Sequence, residues 1–475
     1  MTEDICFWTA GRIAAAVRER EVSCREVVTA HLAQVERVNP RVNAVVTLVA
    51  ERALEEADRA DQDTAAGRPT GPLHGLPVAH KDTHATGGVR TTHGSRLLVD
   101  NVPAADELVV ERIRRAGAIT IGKTNVPEFA AGSHTFNELF GTTLNPYDPT
   151  RSAGGSSGGA AAALATGMHP IADGSDMGGS LRNPASFCNV VGMRPSVGRV
   201  PSYPTLLPWG TLGVQGPMAR TVDDVALLLG VLAGPDPRAP LAHGDTWAGP
   251  LEERDLTGLR VAWSPDLGGS VPVESDVRET LEAALGVFTD LGCRVEEACP
   301  DFSGADETFR TLRAWQFDLT HGHLLAEHRD VLKPSLVRNV EAGSSLTGHE
   351  VAVAHRRQGE LFHRVREFFK TYDVLLLPVS QVAPFPADQE YPEVVAAEPQ
   401  DDYLGWMRSA SHVSLTGCPA LSLPAGFTPT GLPVGLQVVG PHRSDRPVLE
   451  VAKAFEAVTR YADRRPQEIA EASSS

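Results

Sequence analysis

The sequence predicts an α/β protein built on one mixed β-sheet with flanking helices, and three observations carry that reading. From residue 71 onward, short apolar segments bounded by Gly and Pro turns (LHGLPVAHKD, GAITIGKTN) alternate with helical stretches such as ADELVVERIRRAG. Further on, GLRVAWS, CRVEEA, DVLLLPV, PALSLPAGF and PVGLQVVG read as strands, interleaved with helices such as SDVRETLEAALGVFTDLG. Finally, 42% hydrophobic and 22% charged residues over 475 positions match a soluble globular chain able to bury one large core or two ordinary ones.

The first 40 residues form two predicted helices. Thr9 can cap the first, and Ser23 with Glu26 makes a capping-box signature for the second. In that second helix Val27, Val28, His31, Leu32 and Val35 share one face, which makes His31 a packing residue. Residues 1–70 are read as a helical segment packed on the core, 71–300 as the core itself, and 301–410 as an irregular, partly helical region covering a pocket. Residues 411–465 return strands and a helix to the same core, and 466–475 read as a frayed, disordered tail. No internal repeat is present.

Composition also excludes partners and compartments. A formal charge of −17 repels nucleic acid and anionic membrane surfaces. The N-terminus MTEDICFWTAGRIAAAVRERE carries charges too early for a secretory h-region. No apolar run reaches the roughly 18 to 20 residues of a membrane span, so a cytoplasmic protein is expected. Cys6, Cys24, Cys188, Cys293, Cys299 and Cys418 are scattered without a CxxC pair, and reduced structural thiols are expected.

The chemistry concentrates between residues 141 and 202, a stretch rich in Gly, Ser and Ala. In RSAGGSSGGAAAALATG, paired glycines flank Ser156 and Ser157, and an Ala-rich helix follows that must be buried. No lysine follows the glycines at Walker spacing, and G-x-G-x-x-G is absent, so phosphate and dinucleotide loops are set aside. Next, ADGSDMGGSLRNPASFCNVVG places Ser180 after two glycines and before a helix whose first turn tolerates Pro184. A glycine-rich turn of this kind suits an oxyanion hole. The third piece is GLPVAHKD, where Lys81 ends an apolar strand-like run; burial there lowers an amine's pKa and favours a neutral base.

These segments, with GTTLNPYD and GPMARTVDDVALLLGVLAG in the expected places, together resemble the amidase signature family of serine hydrolases across nearly the whole chain. The resemblance implies that family's fold, a large mixed twisted sheet flanked by helices on both faces. By the same resemblance Lys81 corresponds to the catalytic lysine, Ser156 to the serine held in a cis peptide, and Ser180 to the nucleophile. Backbone N–H groups of Met177, Gly178, Gly179 and Ser180 would hold the oxyanion, Ser157 would support the network, and Asp176 and Arg182 would brace the loop. The implied activity is hydrolysis of a small amide through an acyl-enzyme, with no metal or organic cofactor.

Other residues invite competing readings. Lys123 in GKTNVPEF is strand-adjacent but does not match the family's catalytic lysine. His80 beside Lys81 suggests a Ser-His-Asp relay, yet no G-x-S-x-G elbow accompanies it. His321, His323 and His328 do not have metal-ligand spacing and are read as solvated or pocket-lining. Trp209, Trp315 and Trp406 are candidates for a pocket wall, with core packing as the other reading for each. Carbamate or ester hydrolysis and the glutaminase subunit of a tRNA-dependent amidotransferase are the alternative functions, and a noncatalytic binder is a third class. Against the amidotransferase, WGTLGVQGP lacks the Leu-Asp-Gln segment expected there, Gly213 and Val214 occupying those places. A homodimer is compatible with the family, and the acyl and amine groups are not spelled in the sequence.

Overall fold

The computed structural model describes residues 5–68, 71–244 and 249–466. Its centre is an eight-stranded mixed sheet ordered Arg294–Glu297, Arg260–Trp263, Val374–Pro378, Pro433–Val439, Ala420–Phe427, Val191–Arg194, Val214–Ala219 and Ile171–Asp176. The first three strands run parallel to one another; the remaining neighbours pair antiparallel.

Helices cover both faces because successive strand residues point opposite ways. In Val374–Pro378, Val374 and Leu376 join a core with Leu421, Leu423, Leu436 and the stacked rings of Phe288 and Phe455. Leu375 and Leu377 enter a second core with Phe309, Leu361, Val365 and Trp406. The helices Ser275–Asp290 and Asp445–Thr459 therefore lie on one face, and Ala305–His328 and Gly348–Phe368 on the other.

One mixed sheet does not hold every strand. Pro77–Lys81 and Ile119–Thr124 pair in parallel, and Val45–Leu48 completes a separate three-stranded sheet from within the N-terminal segment read as helical. This small sheet meets the edge strand Ile171–Asp176 through side chains. Lys81 donates its backbone N–H to Asp173 Oδ1 at 2.9 Å, and His80 Nδ1 bonds Asp173 Oδ2. A strand joined by side chains instead of a backbone ladder leaves room for a site between the sheets.

The N-terminal helices match the sequence signals. Thr9 Oγ1 caps Ala10–Arg18, Ser23 and Glu26 form the capping box of Cys24–Val42, and His31 is fully buried with Nδ1 on the Val27 carbonyl. The segment 301–410, read as an irregular, partly helical cover, is more regular than that and does more than cover. Its chain forms the helices Ala305–His328, Pro334–Ser344 and Gly348–Phe368, then places Val374–Pro378 third in the large sheet, so this segment extends the core as well as covering it. The tail at 467–475 lies outside the described residues. None of the six cysteines forms a disulfide, and among the described residues no helix is long and apolar enough to cross a membrane.

Candidate active site

Lys81 is the last residue of a strand buried along its whole length, and its amine has no access to solvent. Nζ meets three hydroxyls, Ser156 Oγ at 2.8 Å and Ser157 Oγ and Ser175 Oγ at 2.9 Å each. Burial pushes this amine down from its ordinary 10.5 to about 7, against the opposing pull of Asp176, Asp173 and Glu107. A neutral amine has two N–H groups and one lone pair. Three surrounding hydroxyls satisfy it when two accept and one donates.

Ser156 and Ser157 sit where the loop enters the buried helix Gly158–Ala165. The Gly155–Ser156 peptide bond is cis. The loop is clamped from outside by Thr135 Oγ1, donating to the Gly154 carbonyl at 2.8 Å, and Ser133 Oγ, donating to the Gly155 carbonyl at 2.7 Å. Gly154 adopts φ +72°, and a Cβ there would fall 2.9 Å from Pro184 Cα, so no larger residue fits the turn.

Ser180 follows the edge strand Ile171–Asp176 and precedes the short helix Arg182–Phe187. With Ser156 it lines a cavity of about 430 Å³, and it retains 8% exposure there. No hydrogen bond joins the Ser156 and Ser180 hydroxyls, and the direct polar chain runs from Lys81 to Ser156. Such contacts commonly tighten only with substrate bound.

The turn from 177 to 180 is held from below. Asp176 accepts the Gly179 N–H at 2.9 Å and the Leu181 N–H at 3.1 Å, and Arg182 meets it through Nε at 3.0 Å and Nη2 at 2.9 Å. Burial would raise this carboxyl, but Arg182 and Arg194 outweigh it and hold Asp176 well below the usual carboxylate range. The Gly179 N–H is thus turned toward Asp176. Met177, Gly178 and Ser180 line the cavity, and their N–H groups find no acceptor among the described residues. Of the four amides that the resemblance names, that of Gly179 is taken by the carboxylate that braces the turn. Gly179 has φ +119°, and a Cβ there would meet Ala410 Cβ at 2.7 Å.

The competing residues fall elsewhere. His80 Nε2 faces Thr120 Oγ1 at 3.2 Å and bonds no serine, and burial pushes the imidazole down. Lys123, equally buried, donates to the His84 carbonyl and to Thr86 Oγ1 at 2.7 Å, one strand away from the serines. His321 lines the cavity between Phe129 and Phe317.

None of the three tryptophans lines the cavity. Trp406 is fully buried and stacked on Phe187, Trp315 packs edge-on against His355 between helices, and Trp209 is 70% exposed. Their aromatic bulk is spent on packing or left at the surface, while the cavity wall takes Phe129, Met177, Leu207, Phe317, Tyr403 and Met407.

Sequence reasoning missed Ser175, Asp173 and Arg194. Strand alternation through IADGSD puts 173 and 175 on one face, a signal that could have found the first two. Arg194, which donates to the Asp176 carbonyl at 2.5 Å, comes from the next strand in the chain and shows no local motif.

A buried amine among serine hydroxyls, beside a serine on an amide-lined turn, defines a site of the acyl-transfer class on a mixed α/β sheet. The family model described as Amidase matches residues 26–449. An acylamidase from Rhodococcus erythropolis is 37% identical, covering 98% of both chains. A glutamyl-tRNA(Gln) amidotransferase subunit from Cupriavidus necator is 34% identical, covering 96% of this chain and 97% of that one. The crystal structure of a bacterial aryl acylamidase of the amidase signature family superposes with a TM-score of 0.90 at 29% identity, over 96% of this chain and 98% of that one. The chain belongs to the amidase signature family and is a hydrolase of carbon–nitrogen bonds.

Proposed function

We propose that this enzyme hydrolyses a small amide on its own, with Ser180 as nucleophile, Ser156 as relay and Lys81 as base. The observation that carries the reading is the Lys81 amine, fully buried, lowered to about 7 and 2.8 Å from Ser156 Oγ. Neutral Lys81 takes the Ser156 proton as Ser156 takes that of Ser180. Ser180 Oγ attacks the carbonyl, and the N–H groups of Met177, Gly178 and Ser180 receive the negative charge. The protonated relay returns a proton to the leaving amine. Water then enters along the same path and releases the acid from Ser180. Ser157 and Ser175 fill the remaining hydrogen-bonding capacity of the amine and fix its direction.

The acylamidase relative supports an acyl amide over other bonds, and the same acyl-enzyme route accommodates esters and carbamates. The amidotransferase relative keeps a second reading in view, glutamine hydrolysis for a partner. The purified chain alone, given amide, ester and carbamate panels, is expected to turn over amides, and Ser180→Ala and Lys81→Ala are expected to abolish it. Unchanged activity in Ser180→Ala would sink the nucleophile assignment. A silent chain that cleaves glutamine only with a partner would favour the second reading.

A further inference from the structure

The helix Ala305–His328 lays one face over the site. Phe309, Arg313 and Phe317, at i, i+4 and i+8, point toward the turn that carries Ser180: a Cβ on Gly178 would lie 2.8 Å from Phe309 Cζ, and Arg313 Nη1 donates to Met177 Sδ at 3.2 Å. Arg313 lines the cavity and is only 5% exposed. Its Nη2 donates to Tyr403 OH at 2.5 Å, and the guanidinium lies 4.0 Å from the Phe317 ring centroid and 5.6 Å from that of Tyr403.

What this guanidinium does not have is a counter-ion. Its Nε finds no acceptor, and among the described residues no carboxylate forms an ion pair with it. The cavity's own acids are engaged elsewhere: Asp176 with Arg182, and Glu107 with the Ala85 N–H at 3.3 Å and Gln215 Nε2 at 3.0 Å. Arginine stays charged under all ordinary conditions, and a buried charge is costly unless paired. A thioether, a phenol and two ring faces compensate only in part. The fully buried arginines that brace the turn, Arg182 and Arg194, are both set against Asp176.

We infer that Arg313 binds a carboxylate carried by the amide substrate, so that the enzyme selects anionic amides over neutral ones of the same shape. The inference rests on the amidase reading above. The fork is pinned by Tyr403 and Phe317 before substrate arrives, which spares the entropy of ordering a long side chain. Its contact with Met177 places the anion one short spacer from a carbonyl held over Met177–Ser180.

Two matched pairs test this: N-phenylsuccinamate against N-phenylbutanamide, with the charge on the acyl side, and 3-acetamidobenzoate against 3-acetamidoacetophenone, with it on the amine side. The wild type is expected to prefer the anionic member of at least one pair by about tenfold or more in kcat/KM, chiefly through KM. Arg313→Met should remove that preference while leaving the neutral member within about threefold, and Arg313→Lys should restore part of it. Neutral members preferred in both pairs, or equal losses for charged and neutral members in Arg313→Met, would overturn the inference. Benzoate and acetophenone binding, followed calorimetrically on the wild type and Arg313→Met, separates the two claims. Benzoate binding that depends on Arg313 supports the anion site even in a chain that cleaves none of the four amides, whereas silence toward all amides counts against the amidase reading alone. Benzoate binding that is absent, or indifferent to Arg313→Met, counts against the anion site.

Discussion

In the proposed relay Lys81 can serve as the base only when its amine is neutral, and its environment sets the pH at which that happens. Burial brings the pKa to about 7, so protonation below that point removes the lone pair that receives the Ser156 proton. The expected profile of kcat/KM rises about tenfold per pH unit up to near 7 and is level above it. An inflection that stays near 7 with Lys81 intact, measured on a substrate that does not titrate in this range, supports the assignment. A profile flat from pH 5 to 9 would remove it. At the same scale, Lys81, Ser156, Ser157, Asp176, Ser180 and Arg182 were all legible, because each sits in a short Gly-rich or apolar motif unusual for its residue type. Ser175 and Arg313 were not, since a serine in a strand and an arginine in a helix are ordinary until the neighbours are known.

At the scale of elements, the site depends on a turn suspended from one carboxylate. Asp176 ends the edge strand, takes the N–H of Gly179 in the following turn and that of Leu181 just past it, and is itself held by Arg182, which also reaches Ser414 Oγ at 2.7 Å and the Ala410 carbonyl at 2.9 Å. Strand, turn and the helix Arg408–Leu415 are thereby tied at one fully buried point. Arg182→Met leaves Asp176 partly uncompensated inside the protein and is expected to cost roughly 3–5 kcal/mol of stability. Chemical denaturation reads the loss as a lowered midpoint, and turnover should fall with it because the Met177–Ser180 amides lose their brace. A variant as stable as the wild type would show that Asp176 and Arg194 suffice. Helix and strand segments of the fold were readable from periodicity and caps, from Thr9 and Ser23 to DVLLLPV. Their assignment to two sheets was not, because Pro77–Lys81 looks locally like any other buried strand.

Across the whole molecule, the sheet under the cavity and the helices stacked beyond it differ in how they are held. The floor belongs to the eight-stranded sheet and its two large cores, whereas Pro334–Ser344 packs through a smaller cluster of Phe317, Leu332, Leu336, Val337 and Val340 against Ala131. A thin cluster opens at lower free energy than a sheet interior. Amide hydrogen exchange is expected to be faster in Pro334–Ser344 than in Val374–Pro378 by orders of magnitude, with the Ala305–His328 helix between them. Equal protection in both would mean that Pro334–Ser344 unfolds only with the core.

The sequence by itself determined the α/β class, the order of most elements, the family resemblance and two of the three serines around the buried amine. Each of these is written in local pattern: alternation, capping, glycine pairs and a lysine in an apolar run. Only the tertiary structure decided that Lys81 reaches its serines across a seam between two sheets, that Asp176 takes one amide from the turn, and that the tryptophans stand outside the cavity. It also decided that Arg313 faces the cavity without a counter-ion. For Lys81, the tryptophans and Arg313 the physical reason is common: burial and charge pairing depend on groups brought together from distant parts of the chain, and no window of sequence contains both partners. Asp176 and Gly179 are neighbours in sequence, and there the fold decides through Arg194, which comes from another strand and helps hold the carboxylate under the turn.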